Sequence, residues 1–124
     1  MNDTEFCKKI MKAHGKGYFL ATQFFPHKVK FATYALYTWV RKLDDIVDET
    51  KDAKIARDQF NYWVNDWRKV QSGENSSRPE MRTFIKVVKE FNLSSEYTES
   101  FIKSMQMDLE KKEYLNLKRL EDYM

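Results

Sequence analysis

Four acidic side chains fall within six positions of the segment RKLDDIVDE, which runs from Arg41 to Glu49. If the segment is helical, Asp44 and Asp48 lie one turn apart on the same face. Mg²⁺ prefers oxygen ligands, and its sites usually combine one or two carboxylates with water and phosphate oxygens. Arg41 precedes Asp44 by one turn, and a guanidinium group can bind phosphate with two parallel hydrogen bonds. The spacing therefore predicts a site for Mg²⁺ ions and a diphosphate group.

Two tyrosines extend this line of side chains toward the N-terminus, because Tyr34, Tyr37, Arg41, Asp44 and Asp48 follow one another at spacings of three or four. The line borders a predicted apolar arc of Val29, Ala32, Leu36, Trp39, Val40, Leu43, Ile46 and Val47. Carboxylates beside tyrosines at the edge of a buried face indicate a cavity wall, where aromatic rings can stabilise a carbocation. The alternative is a solvent-exposed acidic helix end with an Arg–Asp ion pair and with the tyrosines in an ordinary core. The residues alone leave both interpretations open.

The elements that must position these side chains are all predicted to be helices, since helical spacing of apolar residues dominates and only three glycines and two prolines interrupt it. Helices are predicted over residues 4–14, 26–49 and 52–71, with a turn or short helix at 18–24. Two further helices are predicted to begin at Pro79, with apolar residues as far as Phe91, and at Ser94 or Ser95. Gly73 is predicted to end one helix, and Asn116 to cap a last, short one. The fold class is therefore all-α, in a single domain of residues 1–124.

Composition restricts the function class. The 124 residues carry a formal net charge of +3 with acidic and basic residues interleaved, which gives no electrostatic footprint for nucleic acid. Cys7 is the only cysteine, so no intrachain disulfide forms, and we predict a buried structural thiol and a cytoplasmic, reducing location. No apolar run approaches the length of a membrane span, although peripheral membrane contact is left open.

The segment HGKGYFLATQFFPHKVKFATYALYTWVRKLDDIVDE resembles the N-terminal region of the squalene/phytoene synthase family, the head-to-head prenyl diphosphate synthases. That family carries the pattern Ala-x-Tyr-x-x-x-Arg-x-x-Asp-Asp-x-x-Asp, which is matched here from Ala35 to Asp48. The later segments SMQMDLEKKEY and LEDYM are similar to the family's Met-x-Met-Asp-Leu segment and the Leu-x-x-Tyr that follows it. The similarity runs from His14 to the last residue.

The resemblance implies the N-terminal part of an isoprenoid-synthase helical bundle, which surrounds an apolar cavity. It also implies an enzyme, a Mg²⁺-dependent prenyltransferase that joins two prenyl diphosphates (farnesyl or geranylgeranyl) 1′-1 in isoprenoid or carotenoid biosynthesis. The implied metal ligands are Asp44 and Asp48, supported by Asp45. The other implied site residues are Arg41, His14 and Lys16 at the diphosphate, Tyr34, Tyr37 and Tyr123 at the cavity, and Met105 and Asp108 on a cavity helix.

Departures from the family pattern set limits on this expectation. Gly15 and Gly17 replace two serines near the expected phosphate, and Glu113 replaces an arginine. The family's second aspartate-rich helix has no counterpart in the sequence, so we expect that the chain alone does not complete the coupling reaction. The alternatives are a non-catalytic helical or interaction module and a prenyl diphosphate phosphohydrolase. We also expect self-association or a partner chain that covers apolar surface where further helices would pack.

Overall fold

The structure is a computed structural model that describes the backbone of residues 2–123 and the side chains of residues 2–119. Six helices occur in this part of the chain, and no strand occurs among its residues. The helices are α1 (Asp3–His14), α2 (Lys16–Thr22), α3 (His27–Glu49), α4 (Ala53–Gln71), α5 (Pro79–Phe91) and α6 (Ser95–Tyr123). The all-α fold class is therefore confirmed.

Local side-chain chemistry explains most of the helix ends. Asn2 caps α1, because its side chain accepts a hydrogen bond from the backbone N–H of Glu5 at 2.8 Å. Asp52 does the same for α4, where it accepts hydrogen bonds from the backbone N–H groups of Lys54 and Ile55. Gly73 follows α4 with φ +108°, a conformation that favours glycine, so the predicted stop at this residue is confirmed.

The predicted interruption at Asn116 is wrong, since α6 continues through this residue without a break. Neither glycine nor proline occurs between Ser95 and Tyr123. An asparagine in a helix interior costs only a few tenths of a kcal/mol relative to alanine, whereas a break would leave several backbone groups without partners. Asn116 therefore remains an interior residue of α6.

The predicted apolar arc of α3 is confirmed at Trp39, Leu43 and Val47, which are buried, and is wrong nearer the start of the helix. Val29 and Leu36 are exposed, whereas Tyr34, Ala35 and Thr38 are buried. The Thr38 hydroxyl tolerates burial because it lies 2.9 Å from the carbonyl oxygen of Tyr34 and 3.2 Å from that of Cys7. The line of side chains from Tyr34 to Asp48 was predicted to border the core. Its first residue, Tyr34, lies inside the core instead.

Two compact units make up the described chain. Unit 1 comprises the residues up to Lys42 together with Trp67–Leu93, and unit 2 comprises Leu43–Asp66 together with the residues from Ser94 onward. Helices α3 and α4 each contribute one end to unit 1 and the other end to unit 2.

Unit 1 has an aromatic core. Cys7, Met11 and Tyr34 form a buried cluster, against which Phe6, Phe19, Phe31 and Tyr37 pack. The rings of Trp39, Trp67 and Phe84 contact one another with centroid separations between 4.9 and 5.5 Å. The thiol of Cys7 is fully buried, as predicted, and its burial raises the pKa of the group.

A two-pronged ion pair joins α1 to α5 in the same unit. Arg82 donates from Nε and Nη2 to the two carboxylate oxygens of Asp3, at 2.8 and 2.9 Å. The hydrogen bonds from Arg82 hold the pKa of Asp3 below its ordinary value. This contact fixes the first turn of α1 on α5.

Unit 2 is built on α6 and the parts of α3 and α4 that it includes. Its buried apolar side chains are Leu43, Val47, Ala56, Phe60, Trp63, Val64, Ile102 and Leu109. The end of α3, with its aspartates, therefore belongs to the same packed unit as α6. None of the helices in the described part of the chain has the length and apolar character needed to cross a membrane.

Candidate functional site

An open cleft of about 640 Å³ lies in unit 2. The end of α3, the turn that follows it and one side of α6 line this cleft. Its lining residues are Val47, Asp48, Lys51, Asp108, Lys111, Lys112, Leu115, Asn116 and Arg119. Two carboxylates, four cationic groups and two aliphatic side chains thus share one cavity, which has the chemistry to hold an ion together with a charged ligand.

The end of α3 is held in place by Lys112 of α6. The Nζ of Lys112 donates a hydrogen bond to the carbonyl oxygen of Val47 at 2.8 Å and a second one to the carbonyl oxygen of Thr50. The last carbonyl groups of a helix have no partner within the helix, and a cation satisfies them and complements the negative end of the helix dipole. Because Val47 precedes Asp48 directly, this contact also sets where the Asp48 carboxylate stands.

Glu113, the residue after Lys112 on α6, connects this helix to α4. The Arg57 guanidinium donates from Nε and Nη2 to the carboxylate of Glu113, and this contact raises the pKa of Arg57. Glu113 is the position where the sequence departs from the family's arginine. Its negative charge has a partner inside unit 2, so the departure is accommodated by an ion pair between α4 and α6.

The carboxylates predicted to bind metal differ in their surroundings. Asp48 is exposed in the cleft, and Asp108 lines the same cleft from α6. Asp44 and Asp45 are half-buried on α3 and do not line the cleft. Among the described side chains, no three histidine, cysteine, aspartate or glutamate residues come together as a group that could hold a metal ion. One or two carboxylates with phosphate oxygens are enough for Mg²⁺, so the pair in the cleft fits an ion that arrives with a phosphate ligand.

Five of the predicted site residues belong to unit 1, whereas the cleft belongs to unit 2. Tyr34 is buried in the core, where its hydroxyl oxygen accepts a hydrogen bond from Gln23 Nε2 at 3.0 Å and its ring stacks on Phe19. His14 ends α1 and Lys16 begins α2, and both side chains are exposed. Arg41 is half-buried on α3.

Tyr37 packs against the backbone at Gly15. A Cβ atom built on Gly15 would lie 3.0 Å from both Cζ and Oη of Tyr37, which is closer than ordinary packing allows. Gly17 has open space, with nothing within 4 Å of the corresponding position. The two glycines that replace family serines therefore differ physically: Gly15 makes room for the Tyr37 ring, and Gly17 does not.

The remaining predicted residues lie on α6. Met105 is half-buried in the middle of the helix. The side chain of Tyr123 lies outside the described residues, although its backbone is the last residue of the helix.

Sequence reasoning missed the cations of the cleft, Lys51, Lys111, Lys112 and Arg119. No role was predicted for the charges of the segment KKEYLNLKRLEDY. A signal was present, because Asp108, Lys112, Leu115 and Arg119 recur at spacings of three or four and therefore share one side of a helix. What the sequence did not reveal is that the end of α3 lies against that side.

Comparison with known proteins gives a consistent result. A sequence model described as squalene/phytoene synthase matches residues 11–124. The phytoene synthase of Arthrospira platensis is 24% identical over 119 residues, which cover 96% of this chain and 38% of that protein. The 15-cis-phytoene synthase of Synechocystis sp. is 22% identical, over 96% of this chain and 35% of that protein. The phytoene synthase of Rhodobacter capsulatus is 27% identical, over 98% of this chain and 36% of that protein.

The chain thus spans little more than a third of the length of these relatives. No solved structure matches it significantly.

The two glycines provide a matched test of the packing beside Tyr37. Gly15→Ala is expected to lower the free energy of unfolding by about 1 kcal/mol or more, because the added methyl group displaces the tyrosine ring. Gly17→Ala, inside α2, is expected to leave it unchanged or raise it by up to about 1 kcal/mol. Urea unfolding of both variants measures this. The loss at Gly15 should vanish in a Tyr37→Ala background, and equal stabilities for the two alanine variants would contradict the packing.

Replacing Lys112 tests whether it holds the end of α3. Lys112→Met is expected to lower the free energy of unfolding by about 1–2 kcal/mol, because two carbonyl groups lose a charged donor. Lys118→Met changes an exposed lysine of the same helix outside the cleft and serves as the control. Hydrogen exchange of the last-turn amides of α3 should quicken in the first variant and not in the second. Unchanged exchange in Lys112→Met would show that the anchor lies elsewhere.

Proposed function

The chain belongs to the squalene/phytoene synthase family, and from that premise we propose that it carries a Mg²⁺-dependent binding site for a prenyl diphosphate. The observation that supports this most is the cleft in which Asp48 and Asp108 stand with four cationic side chains. A metal-bound diphosphate presents positive charge to carboxylates and negative charge to lysine and arginine. A cleft lined by both acidic and basic side chains suits such a ligand better than it suits a simple cation or a simple anion.

In this proposal Asp48 is a metal ligand in the cleft. Asp44, which lies one turn earlier on α3 and does not line the cleft, is assigned as the second ligand of the motif. Asp45 supports them, and Asp108 completes the acidic set from α6. Mg²⁺ bound here supplies charge neutralisation for the diphosphate as a leaving group. Arg41 contributes a guanidinium group on the same helix, of the kind that binds phosphate oxygens in pairs.

The activity proposed for the whole protein is the 1′-1 joining of two prenyl diphosphates, in isoprenoid and carotenoid biosynthesis. The relatives named phytoene synthase support this assignment. A reaction in which two allylic diphosphates react needs negative charge neutralised at both of them. We assign one such half-site to this chain, so that the complete reaction needs a second aspartate-rich helix in addition.

Residues outside the cleft have proposed roles in the same reaction. In unit 1, Tyr37 is assigned to contact with a prenyl chain, and Tyr34 supports it from the buried cluster against which Tyr37 packs. On α6, Met105 and Tyr123 are assigned to contact with a prenyl chain as well. His14 and Lys16 are assigned to phosphate binding in unit 1; they flank Gly15, the residue against which Tyr37 packs. The aromatic side chains would stabilise a developing carbocation by about 0.5–2 kcal/mol for each contact.

Exposed apolar side chains support a partner surface. Tyr18, Leu20 and Phe24 are more than half exposed in unit 1, as are Tyr97, Met107 and Tyr114 on α6. Large exposed apolar side chains mark surfaces that bind other protein or membrane. We propose that a second copy, a partner chain or peripheral membrane contact covers exposed apolar side chains of one or both units in the working protein.

Ligand binding tests the site directly. Asp44→Asn combined with Asp48→Asn is expected to weaken Mg²⁺-dependent binding of a non-hydrolysable farnesyl diphosphate analogue by at least about tenfold, which corresponds to about 1.4 kcal/mol. Asp58→Asn, an exposed aspartate of α4 that does not line the cleft, is the matched control. Calorimetric titration with and without Mg²⁺ provides the measurement. Parent-like affinity in the double variant would refute the assignment.

A product assay separates this function from its alternatives. With prenyl diphosphate and Mg²⁺, the chain is expected to bind the substrate without forming a coupled hydrocarbon. Release of diphosphate or phosphate without coupling would favour a phosphohydrolase, and failure to bind the substrate at all would favour a non-catalytic helical module. A coupled product would show that one aspartate-rich helix suffices.

A further inference from the structure

The charges of the cleft in unit 2 do not neutralise one another. Within the described part of the chain, none of Asp48, Lys51, Asp108, Lys111 and Arg119 takes part in an ion pair, although all five line the same cavity. Elsewhere in the same unit Arg57 and Glu113 do pair. Positive and negative side chains therefore line one cleft without pairing with each other. A ligand that carries both positive and negative charge can contact both sets.

The four cations of the cleft have different tasks. Lys112 is occupied by the carbonyl groups at the end of α3. Lys51 lies in the turn after α3, and Lys111 and Arg119 project from α6 with exposed side chains. Lys111 and Arg119 are eight residues apart, so they stand about 12 Å apart along the helix, and a ligand between them meets cations at both ends.

We propose that Lys51, Lys111 and Arg119 form the phosphate-binding half of the cleft, and that they bind the oxygens of a diphosphate whose metal ion faces Asp48 and Asp108. The proposal rests on the prenyl diphosphate site for the metal half, and it adds three residues that the aspartate motif does not include. It also places the cationic partners of the diphosphate on the same packed unit as the acidic ones. Leu115, half exposed at the same cleft, offers an apolar contact beside the phosphate groups.

The chemistry of these groups fits a diphosphate. Arginine binds two phosphate oxygens at once, whereas lysine supplies a compact charge on a flexible stem. Three cations against two carboxylates leave a positive excess before the metal binds. A diphosphate that arrives with a divalent ion meets attraction on both sides of the cleft, so its affinity should fall as salt screens the exposed charges.

Inorganic pyrophosphate is the probe that isolates this half of the site, because it lacks a prenyl chain. In the presence of Mg²⁺, a variant with Lys51→Gln, Lys111→Gln and Arg119→Gln is expected to bind it at least about tenfold more weakly than the parent. The matched control carries Lys103→Gln and Lys118→Gln, two exposed lysines of α6 that do not line the cleft, and should stay within about twofold of the parent. Circular dichroism and thermal unfolding of both variants establish that each remains folded.

The salt dependence of binding provides a second readout. The slope of log affinity against log salt should be smaller in the triple variant than in the parent, because fewer exposed charges are left to screen. Parent-like affinity and slope in a folded triple variant would overturn the proposal, as would a parent that does not bind pyrophosphate at all. If the triple variant does not fold, the single Arg119→Gln and Lys111→Gln variants carry the same test, each with an expected weakening of about threefold or more.

A farnesyl diphosphate analogue separates this proposal from the one on which it rests. If the analogue binds the parent no more tightly than pyrophosphate does, the prenyl assignment fails and the phosphate-binding half stands. If the analogue binds parent and triple variant equally, the prenyl site stands and the three cations are excluded from it.

Discussion

The last turn of α3 has main-chain carbonyl groups that need donors, and Lys112 of α6 supplies them. The same turn carries Asp48, so the position of this carboxylate depends on a hydrogen bond made by a different helix. Glu113 then ties α6 to Arg57 near the start of α4. Two consecutive residues of α6 thus make the hydrogen bonds that join this helix to the end of α3 and to the start of α4.

The electrostatics of the cleft follow from this arrangement. The negative end of the α3 dipole, Asp48 and Asp108 all favour a cation, and Lys51, Lys111 and Arg119 favour an anion. Direct pairing would cancel these preferences, but the five side chains make no ion pair within the described residues. The proposed metal-bound diphosphate would satisfy both sets.

Much of the fold was predictable from the sequence, and the reasons are local. Helical spacing and the stop at Gly73 depend only on neighbouring residues, so the predicted bounds of the helices up to α4 and the predicted start of α5 lie within two residues of the observed ones. The continuity of α6 was missed because Asn116 is a good cap only where the backbone actually leaves the helix. The aspartates of α3 share one end of the helix as their spacing indicates, and their role as metal ligands stays a prediction.

The rest of the site depends on which elements pack together, and spacing does not reveal that. Val29 was expected in the core and is exposed, whereas Tyr34 was expected at the edge of the core and is buried. The reason is that Tyr34 packs against Cys7 and Met11 of α1. Spacing along α6 does not assign a role to its cations, because the element that they face is the end of α3. Glu113 is a departure from the family pattern in the sequence, and its pairing with Arg57 gives it a structural role.

Paramagnetic broadening of amide resonances is the most direct test that the cleft in unit 2 is where metal and diphosphate bind together. With Mn²⁺ in place of Mg²⁺ and pyrophosphate present, broadening should be strongest at Asp48, Lys51, Asp108 and Lys111. It should decay along α6 toward Ser95, roughly 20 Å from Asp108 at a rise of about 1.5 Å per residue. Broadening that is strongest elsewhere in the chain, or that does not depend on pyrophosphate, would contradict the account.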